Sequence, residues 1–123
     1  MAITGILQIH ISSTDVPAAV VFYRDVLGLD FLFEVPEQSM AFFDLGGTRL
    51  YIGRPESSDF ESAPLLYLRV SDIESEYDRL LGHDVEFLSE PHKVHETATY
   101  ELWLADFKTP DGHINVLAEE RPV

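Results

Sequence analysis

Residues Leu7 to Asp15 read LQIHISSTD, and the way this stretch alternates and then stops decides the fold. Apolar and polar residues alternate along 6–12, as in a strand with one buried face. Ile9 and Ile11 share one side; Gln8, His10 and Ser12 share the other. Thr14 or Asp15 then caps a helix, with Pro17 tolerated in its first turn. Val16, Val20, Tyr23 and Leu27 follow helical spacing, and Gly28 offers a stop. Three short strands are predicted near 30–35, 40–45 and 48–53, the last two joined at Gly46-Gly47.

Beyond a polar loop at 54–63 the same order begins again. Leu66, Leu68 and Val70 alternate as a strand. Ser71 is the expected helix cap, with Glu74 completing a capping box. Ile73, Tyr77 and Leu80 form an apolar stripe that ends at Gly82. A strand near 85–88, a polar loop, a strand at 100–107, a turn at Pro110-Asp111-Gly112 and a strand at 113–119 complete the chain. Thr14-Asp15-Val16 matches Ser71-Asp72-Ile73 at an offset of 57 residues, and Gly47 matches Gly112 at an offset of 65. The chain therefore reads as one α+β domain, residues 1–123, made of two βαβββ modules at about 1–57 and 58–123. Each module makes a curved sheet with a helix on its convex side, and two such sheets can enclose a cleft.

Composition narrows the function. Acidic residues number 22 against 8 basic ones, giving a formal charge of -14. Such a chain repels nucleic acid and anionic membrane surfaces. It favours solubility, and a focused negative field would attract a cationic ligand. No cysteine is present, which excludes thiol catalysis, disulfides and thiolate zinc sites. No stretch reads as a signal peptide or a membrane span, so the expected location is cytoplasmic.

Three segments carry a family resemblance: FYRDVLGLDF (Phe22 to Phe31), FFDLGGTRLYI (Phe42 to Ile52) and TPDGHINVL (Thr109 to Leu117). Together with the strand holding Gln8, they resemble the vicinal oxygen chelate superfamily. Its members include glyoxalase I, extradiol dioxygenases, methylmalonyl-CoA epimerase, fosfomycin resistance enzymes and bleomycin resistance proteins. The resemblance implies paired βαβββ modules and a homodimer, with modules kept within a chain or exchanged. It also implies metal-ligand positions on the first and last strand of each module, which here read Gln8, Tyr51, Leu65 and Val116. Leucine and valine cannot ligate a metal, and a lone glutamine with a neutral tyrosine makes a poor divalent site. The expectation is therefore no cofactor.

His10 shares the face of Gln8, and Asp106 shares that of Val116 if the hairpin is regular. His10 and Asp106 are the candidate catalytic residues. With Gln8 they leave three readings open: a divalent metal at a nonstandard site, an acid/base pair, or plain polar lining. Arg49 faces the same way as Tyr51; it either pairs with one of the many acids, the simpler reading, or clamps a carboxylate or phosphate. Tyr67 and Arg69 share the face of Leu65, and parity adds Leu102 and Leu104 to the side of Asp106. Trp103 falls on the opposite side, under a helix or at a subunit interface. His92 and His95 are placed in a solvated loop, and His113 in a turn. The expected function is uptake of a small aromatic or cationic molecule by Gln8, His10, Arg49, Tyr51, Leu65, Tyr67, Leu102, Leu104, Asp106 and Val116 without the usual metal. The alternatives are lyase, isomerase or dioxygenase chemistry around Gln8, His10 and Asp106, and a non-catalytic interaction protein.

Overall fold

In the computed structural model, which describes residues 2–123, the chain divides between Ala63 and Pro64 into two units. The first holds β1 (Gln8–Ser12), α1 (Val16–Val21), β2 (Asp30–Val35), β3 (Met40–Leu45) and β4 (Thr48–Gly53). The second holds β5 (Leu66–Arg69), α2 (Ile73–Leu81), β6 (His92–Glu96), β7 (Tyr100–Lys108) and β8 (Ile114–Pro122). Each unit is one four-stranded mixed sheet, ordered β1-β4-β3-β2 and β5-β8-β7-β6. In both, the first strand lies parallel to the last, and the remaining pairs are antiparallel. Two βαβββ modules are thus built with one topology. Among the described residues, no helix is long and apolar enough to cross a membrane.

The parallel pairing forces a crossover, and the helix supplies it. Both helices start the same way. The Asp15 carboxylate accepts from the Ala18 N–H at 3.1 Å, and the Asp72 carboxylate from the Ser75 N–H at 3.2 Å. Asp72 is therefore the cap, in place of the expected Ser71. Glu74 consequently falls one position short of a capping box, and its side chain turns to Arg121 instead.

Each helix covers one face of its sheet. In the first unit Val16, Ala19, Val20 and Tyr23 are buried with Ile11, Ala41, Phe43, Leu50 and Ile52. The rings of Tyr23, Phe31 and Phe43 meet at centroid distances of 5.4–6.0 Å. In the second unit Ile73, Leu80, Ala105, Phe107 and Leu117 are buried, and Phe87 joins Tyr77 to Phe107. Opposing Cβ directions along each strand leave alternate residues for the other face.

Four details depart from the sequence reading. α1 runs into a π-helical turn at Phe22–Val26, where the Leu27 N–H bonds the Phe22 carbonyl. The wider turn buries both Phe22 and Tyr23, and Gly28 closes it at φ +77°. Leu32 forms a bulge in β2. The strand expected at 85–88 is reduced to a single bridge between Phe87 and Phe107. The pairing strand is β6, in the segment expected to be a loop. Gly46 and Gly47, at φ +60° and +95°, make the two-residue hairpin turn that was expected.

Asp15→Ala and Asp72→Ala should each remove one cap and destabilise the protein by about 1 kcal/mol. Thermal unfolding followed by circular dichroism should show Tm falling by a few degrees in each single variant, and nearly additively in the double variant.

Candidate functional site

The face of the first sheet opposite α1 carries the most organised side chains. The parallel β1–β4 register sets Gln8 beside Arg49 and His10 beside Tyr51. The β3–β4 register sets Phe42 beside Tyr51. The bulge at Leu32 shifts β2 by one residue, so that Phe33 pairs with Phe42. Four rings thus cross the sheet in a row. Centroids are 4.6 Å apart from Phe33 to Phe42, 5.2 Å from Phe42 to Tyr51 and 4.6 Å from Tyr51 to His10. The first two contacts are stacked, at 27° and 16° between planes.

Arg49 lies over this row. Its Cζ stands 5.7 Å from the Phe42 centroid, and its Nε donates to Gln8 Oε1 at 2.7 Å. Among the described residues, the expected ion pair does not form. Asp44 is the cross-strand partner of Arg49, yet the guanidinium bonds the amide and covers the ring instead.

His10 is held at both nitrogens. Nδ1 stands 3.2 Å from the Tyr51 carbonyl, and Nε2 stands 3.1 Å from Ser12 Oγ, which itself accepts from the Ser62 N–H at 2.8 Å. A carbonyl only accepts, so Nδ1 carries the proton and Ser12 donates to Nε2. This imidazole ties β1, β4 and the Ser62 segment together. Burial, aided by the charge of Glu56, pushes the Tyr51 phenol above its ordinary value of 10.0, so it stays neutral at physiological pH.

In the second sheet, Tyr67, Val116 and Asp106 stand in one register row, and Leu104 pairs with Ala118 and Leu102 with Glu120. Parity had placed these residues on one face, and the register does the same. Val116 is buried, while Leu65 and Tyr67 are more than half exposed. Arg69 pairs with Glu120 at 2.6 Å. His92 and His95 join this face, opposite Leu104 and Leu102, because a bulge after Lys93 brings both to the same side. His10 and Asp106 stand in separate units. Trp103 lies on the helix side, with Arg121 Cζ 4.4 Å above its ring and Glu101 accepting from its indole N–H. His113 closes the Thr109 turn.

Phe33 and Phe42 were missed by sequence reasoning. Counting back from Tyr51 through the two-residue turn identifies Phe42. Phe33 has no such signal, because the Leu32 bulge inverts the parity of β2.

The four positions that family resemblance assigns to a metal do not fit one. Leu65 and Val116 offer no donor, Tyr51 is a neutral phenol, and Gln8 Oε1 already accepts from a cation. Asp72, Glu74 and Glu119 converge elsewhere, their carboxylates within 4.8 Å of one another. Arg121 holds this cluster, bonding both oxygens of Glu74 at 2.7 and 2.9 Å and Glu119 at 3.0 Å. Glu119 Oε1 also caps the Ile73 N–H at 2.8 Å. The cluster locks α2 onto β8. A hollow of about 560 Å³ beside it, within the second unit, is lined by Arg69, Val70, Ser71, Glu119, Glu120 and Pro122.

Comparison with known proteins gives a consistent picture. The model of the Glyoxalase/Bleomycin resistance protein/Dioxygenase superfamily matches residues 5–117. The uncharacterized protein YraH of Bacillus subtilis is 29% identical over 122 residues, covering 89% of this chain and 93% of its own. A superfamily member from Sphaerobacter thermophilus superposes with a TM-score of 0.78 at 23% identity, covering 98% of this chain and 100% of that one. Lactoylglutathione lyase from Agrobacterium tumefaciens gives 0.76 at 19% identity, covering 94% and 93%. At these identities the structural matches speak for the fold alone.

The Arg121 cluster makes stability depend on pH. Hydrogen bonds from Arg121 hold the Glu74 and Glu119 carboxyls below their ordinary value of 4.5. Depressed carboxyl pKa values stabilise the native state above the unfolded value, and this contribution is lost as pH falls through the folded ones. Tm should therefore fall as pH is lowered below 4.5, and Arg121→Gln should flatten that fall while lowering Tm at pH 7. Thermal melts across an acid series of buffers check both.

Proposed function

The chain belongs to the Glyoxalase/Bleomycin resistance protein/Dioxygenase superfamily, and on that premise we propose that it binds a small planar aromatic molecule without using the family's metal. The observation that carries this reading is the ring row Phe33–Phe42–Tyr51–His10. A row of rings on a pleated face, stacked from Phe33 to Tyr51, is polarisable and already ordered. A planar guest gains area burial and offset stacking there, with little side-chain entropy to lose. Phe33, with 48% of its surface exposed, is the outer end of the row and the natural first contact.

Polar groups beside the row supply orientation. Gln8 and Arg49 form one hydrogen-bonded pair at its edge, and the Tyr51 hydroxyl is 3.5 Å from the Arg54 carbonyl. A few convergent polar groups beside an apolar surface are the usual make-up of a ligand site. His10 serves this reading as a positioning residue. Its two hydrogen bonds fix the imidazole at the β1 end of the row, against the Tyr51 ring.

Sequestration of a guest requires affinity and no turnover. A thermal-shift screen of planar aromatic compounds should yield ligands that raise Tm; at 100 times its dissociation constant a ligand stabilises the native state by about 2.7 kcal/mol. Phe33→Ala should weaken the best ligand by about tenfold, in line with the roughly 1 kcal/mol of an aromatic pair plus lost area. Adding zinc, nickel or manganese should leave both Tm and ligand affinity unchanged. A metal-dependent gain in either, or an absence of hits among planar compounds, would overturn the proposal.

A further inference from the structure

We infer that the guest is an organic anion: an aromatic molecule whose carboxylate, phosphate or sulfonate seats on Arg49. This rests on the aromatic-row reading above and adds the ligand's charge to it. The chain holds 22 acidic and 8 basic side chains, so carboxylates are available to every cation. Six of the eight cations do sit in ion pairs: Arg24, Arg69, Arg79, Lys93, Lys108 and Arg121. Arg49 and Arg54 do not, and for Arg49 this holds although Asp44 stands opposite it across the β3–β4 ladder. Its Nε is engaged by Gln8 and its plane by Phe42, and the two terminal amino groups have no partner among the described residues.

That geometry suits oxyanion capture. The fork of terminal N–H groups matches two oxygens of a carboxylate or phosphate. The guanidinium is already ordered by an amide and a ring, so less freedom is lost when it binds. Gln8 spends its carbonyl oxygen on Arg49, which leaves its amide N–H groups as further donors at the same edge. Neither contact neutralises the charge, as a carboxylate partner would. A guest stacked on the ring row and bearing an acid group would satisfy the guanidinium and cover the rings together. The formal charge of -14 weakens long-range attraction for such a guest. Contact at Arg49 is short-ranged, and within a screening length the local cation dominates.

The test is isothermal titration calorimetry with matched probes built on phenyl, naphthyl and indolyl cores, each as a carboxylate, a primary alcohol and a methylammonium. The carboxylate of at least one core should bind about tenfold or more tightly than its alcohol, with the ammonium weakest. Arg49→Gln should erase the preference, bringing the carboxylate's affinity down to that of the alcohol measured on the same variant, and Asp44→Asn should tighten the carboxylate further. The wild-type comparison stands even where a variant fails to fold. Equal affinity across the three charges, or a preference for the ammonium, overturns the anion inference and leaves the aromatic row in place. Absence of binding by every probe overturns both. A phosphate monoester on the best core, compared with its carboxylate, separates the two classes of acid.

Discussion

The parallel pairing of the first strand with the last is the constraint from which the rest of each unit follows. β1 and β4 can lie side by side in the same direction only if the chain crosses over between them, and α1 is that crossover. The helix must cover one face, so apolar residues of β1, β3 and β4 are turned inward. Period-two alternation then leaves Gln8, His10, Phe42, Arg49 and Tyr51 on the other side. Their grouping results from register: a shift of one residue in β1 would send His10 into the core and bring Ile9 out. His10 also holds that register, because its two ring nitrogens reach β4 and its own strand's Ser12.

How much of this was legible depends on whether a feature obeys a local period. The strands of the first unit were legible because their apolar residues alternate, and both helix starts because Thr14-Asp15-Val16 and Ser71-Asp72-Ile73 recur at a fixed offset, although the second cap was read as Ser71. The common register of the two modules was legible for the same reason. His10 sits beside Tyr51 in one unit and Tyr67 beside Val116 in the other, so the two modules keep one register. What was hidden breaks the period. The Leu32 bulge reverses parity within β2, and the π-helical turn after Val21 adds a residue that 3.6 spacing cannot show. β6 was read as a loop because HKVHE has no buried face at all: it is an edge strand with charged residues along it.

Charge illustrates a different limit of sequence reasoning. Net charge suggested an ion-paired Arg49. That expectation treats charges as interchangeable, whereas the fold assigns each cation its own surroundings. Arg121 is placed among Glu74 and Glu119 and over Trp103, and acts as a clamp between α2 and β8. Arg49 is placed among an amide and a phenyl ring. The same side chain in the same acidic chain is thereby neutralised at one position and left available at the other.

Divergence between the two modules follows the same logic. The first module's free face is built of rings with one cation; the corresponding face of the second carries Leu102, Leu104, Val116 and Asp106, with its arginine already paired to Glu120. A duplicated fold that binds a metal symmetrically needs donors on both modules, and here the second module's two positions are Leu65 and Val116. Once those donors are aliphatic, a donor on the first module has no coordination sphere to complete. Gln8 Oε1 accepts from Arg49, whose guanidinium sets a fixed positive charge beside it. Unlike a divalent ion, a guanidinium cannot lower the pKa of a bound water or bind substrate oxygens with open coordination sites. It can hold an anion in a defined direction, and the proposed anion binding rests on that chemistry.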